Sequence, residues 1–399
     1  MITTPPRVAF FTDCYHEVNG VARTSRQFVQ FAKSRGLPLL VLHAGESSRL
    51  WADGSVTHLE FRRAFPKLPL DAGMAFDLAF YLRHLRPFQQ AFLGFRPDIV
   101  HTTGPSDCGL LGMILAHRHR VPMVASWHTN IHEYAGRRIP SWVPGRPAVA
   151  RWAESASLSL VALYYRYARR TLAPNPELVA FLEANTGKPS ALMERGIDTA
   201  LFHPAKRLRE CDNNFRIGYV GRLSREKNVR LLVDIQRELA SLTSAPFHFC
   251  VVGQGDELDY LKRNLQPAFF RGVLHGEALS RAYAGCDAFV FPSETDTYGN
   301  VVLEAQASGV PPLVTNSGGP KFLVRHGETG FHCDSPAAFA QCLLALMQNT
   351  QLRAALRAAA RSAALLRGWD AIFENVYDSY NLALRPPAPA PASLSSCSV

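Results

Sequence analysis

An α/β protein with two parallel-sheet domains is the fold this chain predicts, and three observations predict it. Short apolar, strand-like runs alternate with helix-length amphipathic segments along nearly the whole length, the pattern of a parallel sheet covered by helices. The alternation lapses over residues 186–205 and restarts at Phe215. With 399 residues, 47% of them hydrophobic, the chain has material for two or three cores.

The elements follow in order. Arg7–Thr12 reads as the first strand, followed by a loop through Asn19-Gly20 and a helix from about Val21 to Lys33. Leu37–His43 is the next strand, Asp98–His101 the third, Pro122–Ser126 the fourth and Thr171–Ala173 a short late one. In the second half, Phe215–Tyr219 leads into VGRLSREKN and a helix, and Phe247–Val252 leads into a Gly-Gln-Gly turn. Ala288–Phe291 precedes an acidic loop, and Pro312–Val314 precedes Ser-Gly-Gly-Pro. In open parallel sheets, ligands bind beyond the carboxyl ends of the strands. Nearly every unusual polar cluster sits at such an end: Asn19-Gly20, Thr102–Gly104, His128, Gly221-Arg222, Gly253, Asp296 and Gly318-Gly319. Two sets of strand ends facing each other would hold a ligand in the cleft between the domains. The proline-, alanine- and serine-rich stretch from Pro386 to Val399 reads as a disordered tail.

Composition narrows the function classes. No apolar run approaches the ~20 residues that span a bilayer, and no basic segment followed by an apolar core opens the chain. Eight scattered cysteines form no CxxC pair and no zinc-spaced cluster, so a reduced, cytoplasmic protein is expected. Of the net charge of +10, residues 1–195 supply most, with 23 Lys+Arg against 14 Asp+Glu. A basic half suits a phosphorylated ligand or an anionic membrane, or is ordinary surface arginine. Zinc-finger, RRM and basic helix-turn-helix signatures are missing, so no nucleic-acid partner is expected. The loop after the first strand, DCYHEVNG, carries no glycine fingerprint of a dinucleotide fold.

The chemistry concentrates in Phe289–Pro320. Seven residues separate Asp296 from Glu304, and Tyr298, Gly299 and Asn300 between them mark the start of a helix. Such a start offers free backbone N–H groups to an anion. Acids on either side suit hydroxyls flanking a bound phosphate, as in a sugar joined to a nucleoside diphosphate. Asp296 can bind hydroxyls of the sugar or, alternatively, cap the helix. Glu304 can accept a ribose diol, and its apolar neighbours Val301, Val302, Leu303 and Ala305 argue against a freely solvated face. Arg222 and Lys227, with four residues between them, can aim two cations at a departing diphosphate. The competing reading is surface ion pairing, with Glu226 the nearest acid. Gly20 permits close backbone approach of a phosphate or sugar. His128 can touch a sugar hydroxyl or serve the fold alone, and Leu274, within Gly272–His275, is a candidate wall for the base.

Together these residues resemble the glycosyl transferases group 1, the retaining glycosyltransferase family four, from about Arg7 to Tyr380. The carrying pieces are Asn19-Gly20-Val21, Trp127-His128-Thr129, Arg195-Gly196-Ile197-Asp198 with Phe202-His203-Pro204, Gly221-Arg222-Leu223 with Lys227, and the Asp296-to-Glu304 segment. The family pattern there is Glu, seven residues, Glu; this chain has Asp296 at the first position. The resemblance implies a GT-B fold, with two Rossmann-like domains whose parallel sheets face a central cleft. It implies an acceptor-side domain over 1–190, a nucleotide-sugar domain over 200–368 and a helix over 369–385 crossing back to the first domain. It also implies metal-independent, retaining transfer of a hexose from a UDP- or GDP-type sugar to a hydroxyl acceptor, with no cofactor. Arg222 and Lys227 would neutralise the diphosphate, with Asp296 orienting the sugar. Gly20, His128, Glu304 and the backbone at Tyr298, Gly299 and Asn300 would hold the donor. A non-catalytic nucleotide-sugar-binding subunit and a nucleotide-sugar epimerase are the competing classes. Within Ser141–Arg170, Trp142, Trp152, Tyr164, Tyr165 and Tyr167 stand among five arginines. That mixture suits a lipid-headgroup boundary at the inner face of the membrane and a lipid-like acceptor, or a helix that buries its aromatics.

Overall fold

Two parallel sheets carry the molecule. A computed structural model describes residues 4–17, 19–62, 67–71, 74–77, 80–128, 146–208 and 214–385. The tail expected from Pro386 onward and Trp142 lie outside the described residues.

The strands of the first half are β1 (Val8–Thr12), β2 (Leu39–Gly45), β3 (Arg49–Asp53), β4 (Val56–Arg62), β5 (Lys67–Asp71), β6 (Met74–Asp77), β7 (Ile99–Thr102), β8 (Met123–Ser126), β9 (Arg170–Ala173) and β10 (Ser190–Leu192). Eight of them form one sheet in the order β10-β9-β8-β7-β1-β2-β4-β3, while β5 and β6 pair separately. Every pair in the large sheet is parallel except β3 with β4. The second half contributes β11 (Phe215–Val220), β12 (Phe247–Val252), β13 (Ala268–Phe270), β14 (Ala288–Phe291), β15 (Pro312–Thr315) and β16 (Phe331–Cys333). These form a wholly parallel sheet in the order β13-β12-β11-β14-β15-β16.

Strand alternation splits the first core into two layers. Val8 and Phe10 of β1 join one cluster with Phe28 and Phe31, and Ala9 and Phe11 join another with Phe88, Leu111 and Tyr164. The first of these layers also takes the Trp369–Leu384 helix, whose Phe373 and Tyr377 rings meet Phe28 and Phe31 at 5.2–6.0 Å. This helix therefore returns the chain to the first sheet. The Arg146–Arg166 helix divides its aromatics: Tyr164 and Tyr165 are buried, whereas Trp152 is 71% exposed. No helix among the described residues is long and apolar enough to cross a membrane.

Strand order reverses beside β1 and again beside β11, because successive connections leave each in opposite directions. Such switch points open a crevice at the carboxyl ends of the strands. At the second, the loop after β11 carries Arg222 and Lys227, and the loop after β14 carries Asp296. Residues 69 positions apart in the chain thus face one another across the crevice.

Candidate active site

Helix Asn300–Ala307 begins behind Gly299, which caps it at φ +96°. That left-handed conformation suits glycine, and a Cβ there would also stand 2.9 Å from Pro320 Cγ. The cap supplies no side-chain bond, so the amides of the first turn lack that partner. The opposing helix, Gly20–Ser34, starts behind Asn19, whose side chain accepts from the Ala22 amide at 2.8 Å. The two helices meet start to start: a Cβ on Gly20 would lie 2.9 Å from Asn300 Nδ2. Their partial positive ends converge where an anionic group would be favoured.

Lys227 Nζ donates to Asp296 Oδ1 at 2.7 Å. Asp296 Oδ2 is buried and has no hydrogen-bond partner among the described residues. Asp296 does not cap the helix, a position that falls to Gly299. Arg222 pairs with Glu226 at 3.2 Å, and its side chain is 46% exposed. The Tyr219 hydroxyl donates to the Arg222 carbonyl at 3.0 Å and fixes the start of that loop.

Glu304 sits one turn into its helix and Arg23 one turn into the opposing one. Arg23 donates to Glu304 Oε1, and Tyr283 donates to Oε2 at 2.9 Å. Burial pushes the Glu304 carboxyl above its usual range, against the pull of Arg23 and Tyr283. Burial, then the charge of Glu304, keeps the Tyr283 phenol far above its ordinary value, so it remains a donor.

His128 follows β8 and is buried. Its Nδ1 meets the Arg195 guanidinium, which can only donate, so the proton belongs on Nε2. That Nε2 is buried without a hydrogen-bond partner among the described residues. Burial first, and Arg195 second, hold the imidazole neutral far below its ordinary pKa. The Arg195 carbonyl accepts from the Tyr298 hydroxyl at 3.0 Å. Tyr298 thus spends its side chain on the linker and leaves its backbone to the helix start. Leu274 is half-buried in the loop after β13.

Two further bonds join the halves. Asn175 Nδ2 donates to the Thr297 carbonyl at 2.8 Å, and Thr297 Oγ1 donates to the His128 carbonyl at 3.0 Å. A cleft of about 220 Å³ lies between the domains, lined by Trp127, Asn175, Phe181, Asp296 and Gly319 among others. Sequence reading missed Arg23, Asn175, Tyr283 and Thr297. Only Arg23 had a signal, its place one helical turn after Gly20.

Two facing Rossmann-like domains with this cleft define a GT-B fold. The model of the glycosyltransferase family 4 matches residues 18–201, and that of the glycosyl transferases group 1 matches residues 214–349. A GDP-mannose-dependent alpha-mannosyltransferase of Mycolicibacterium smegmatis is 32% identical over 95% of this chain and 98% of its own. The sulfoquinovosyl transferase SQD2 of Arabidopsis thaliana is 27% identical over 93% of this chain and 72% of its own. The crystal structure of Anabaena HepE in complex with UDP and glucose superposes with a TM-score of 0.67 at 18% identity, covering 94% of this chain and all of that one. The chain belongs to the group 1, family 4 glycosyltransferases. Of the three classes weighed from the sequence, transferase is the one these relatives carry.

Proposed function

We propose that the protein is a retaining hexosyltransferase that uses GDP-mannose as donor and a hydroxyl group as acceptor, without a catalytic metal or cofactor. The observation that carries this reading is the Asp296 carboxylate, anchored to Lys227 through one oxygen and unpartnered at the other, beside two converging helix starts. Breaking the glycosidic bond loads charge onto the leaving diphosphate. Preorganised cations and amides stabilise that charge most where water is excluded. Lys227, Arg222 and the backbone of Tyr298, Gly299 and Asn300 take that role, with Gly20 allowing approach from the other side. Asp296 Oδ2 accepts a sugar hydroxyl and His128 Nε2 donates to one. Glu304 receives the ribose diol by exchanging its bond to Arg23, and Leu274 borders the base. The guanine base and mannose rest on the mannosyltransferase relative.

A thermal-shift panel of GDP, UDP and ADP, followed by donor sugars on the best base, tests this. GDP and GDP-mannose should raise the melting temperature most, by mass action, and the mannoside formed should keep the α configuration in its anomeric NMR signal. A preference for UDP, or a β product, overturns the corresponding half of the reading.

A lipid-like acceptor at the inner face of the cytoplasmic membrane is favoured by one surface. Trp152, Leu160 and Tyr167 are 71%, 70% and 55% exposed, on or just after a helix that also carries Arg151 and Arg166. Apolar rings among cations fit an anionic headgroup layer. Flotation with anionic liposomes should recover the protein at low salt and lose it at high salt. Absence of the protein from the low-salt float rejects the membrane site.

A further inference from the structure

Three metal-ligand side chains that no sequence motif connects meet on the first sheet. His43 of β2 and Glu60 of β4 are register partners, and His16 reaches them from the loop after β1. One nitrogen of each imidazole and one carboxylate oxygen all lie within 4.8 Å of one another. None of the three lines the cleft described above.

From these contacts we infer a site for a divalent transition ion of the zinc class, bound by His16, His43 and Glu60. Ligand atoms about 2.0–2.1 Å from a tetrahedral centre stand roughly 3.4 Å apart. His16 Nε2 and Glu60 Oε2 are already 3.2 Å apart. The His16 side chain is 51% exposed, on a loop, and has room to adjust.

The surroundings are shaped for such a group. His43 is fully buried, with Nδ1 3.3 Å from the Ala44 carbonyl and Nε2 without a hydrogen-bond partner among the described residues. A ring N–H given to a carbonyl fixes the tautomer that bares the other nitrogen to a metal. Glu60 Oε1 is held by the Ser47 amide at 3.0 Å and its hydroxyl at 2.6 Å. Oε2 faces His16 and Arg49, each at 3.2 Å. The Arg49 guanidinium also lies over the Trp51 ring, 4.5 Å from its centroid, and is exposed enough to retire there. Gly45 keeps the space clear, because a Cβ on it would fall 2.4 Å from Glu60 Cδ. Tyr15 stacks on His43 at 4.5 Å and shields one side.

Two imidazoles and one carboxylate favour zinc-class ions over magnesium or calcium, which take oxygen ligands. Three protein ligands leave a fourth position for water. The bound ion ties the loop after β1 to two strands, and that loop runs on to Asn19 and Gly20 at the cleft.

Isothermal titration of the chelator-treated full-length protein with zinc chloride tests the site, with magnesium chloride as the second arm. One saturable zinc site is expected, with no magnesium heat. His16→Ala and Glu60→Gln should each weaken it by at least about 10–100-fold. His326→Ala, beside the separate His332, should leave it unchanged. Hydrogen exchange over residues 13–17 should slow when zinc is added to the wild type. Absence of saturable zinc binding, or retention of it in both ligand variants, overturns the assignment. His16 is exposed, so its variant stays informative even if Glu60→Gln does not fold. Because binding is read without any transfer assay, a failed donor assignment would leave this result intact.

Discussion

At the scale of single residues, Lys227 and Arg222 differ in how they are held. Lys227 is fixed against Asp296, whereas Arg222 is half exposed and shared with Glu226. Both should matter most when charge develops on the leaving group. Lys227→Ala and Arg222→Ala should each lower kcat by roughly 10²–10³ with the circular-dichroism spectrum unchanged. A near-normal kcat in either purified variant would remove that residue from the clamp. The Arg23–Glu304 pair makes a second prediction. A carboxyl whose folded pKa is raised favours the native state at low pH and loses that contribution as pH rises through the folded value. Arg23→Met removes a cation that lowers the Glu304 pKa, so the carboxyl should titrate higher still. The variant should be destabilised by about 3 kcal/mol at pH 7.5 and clearly less at pH 5. Urea melts at the two pH values measure this, and an equal loss at both would show that Glu304 is not the titrating group.

At the scale of elements, the loop before the Asn300–Ala307 helix is held by a close backbone crossing. The Gly319 amide donates to the Asp296 carbonyl at 2.7 Å, and a Cβ on Gly319 would come within 2.0 Å of the Thr297 carbonyl oxygen. No rotamer relieves a clash with backbone, so Gly319→Ala must displace the strand-to-helix loop. The expected result is a kcat/KM lower by about tenfold or more, worth ~1.4 kcal/mol in the transition state, in a protein that still melts cooperatively. Unchanged kcat/KM would mean that the loop tolerates displacement without loss of Asp296 placement.

At the scale of the whole molecule, the side-chain links between the two halves among the described residues include Arg23 to Glu304, Asn175 to Thr297, Thr297 to His128 and Lys321 to Glu177. Long-range coherence comes instead from the Trp369–Leu384 helix, which returns to the first sheet. Phe373 is fully buried there against Phe28, Phe31 and Trp369. Phe373→Ala should cost about 3–5 kcal/mol, seen as a lower denaturation midpoint. A loss below about 1 kcal/mol, close to the effect of a surface change, would mean the helix docks without that ring.

The long strands were legible because their residues are continuous apolar runs, as both-sided burial requires. β13 and β16 were not, since each is a three-residue edge strand with too little sequence to show a period. β3 and β4 were missed for a different reason. Their faces carry Trp51, His58 and Glu60, and polar groups inside a sheet look like a loop until their partners are known. The alternation of strand and helix, the restart at Phe215 and the Asp296–Glu304 spacing are written in the chain, because these are local patterns of burial and backbone need. That Arg23 reaches Glu304, 281 residues away, and that His16, His43 and Glu60 converge, follows from the folded arrangement alone. Side-chain partnership across a fold depends on strand order and domain approach, and neither leaves a periodic trace in the chain.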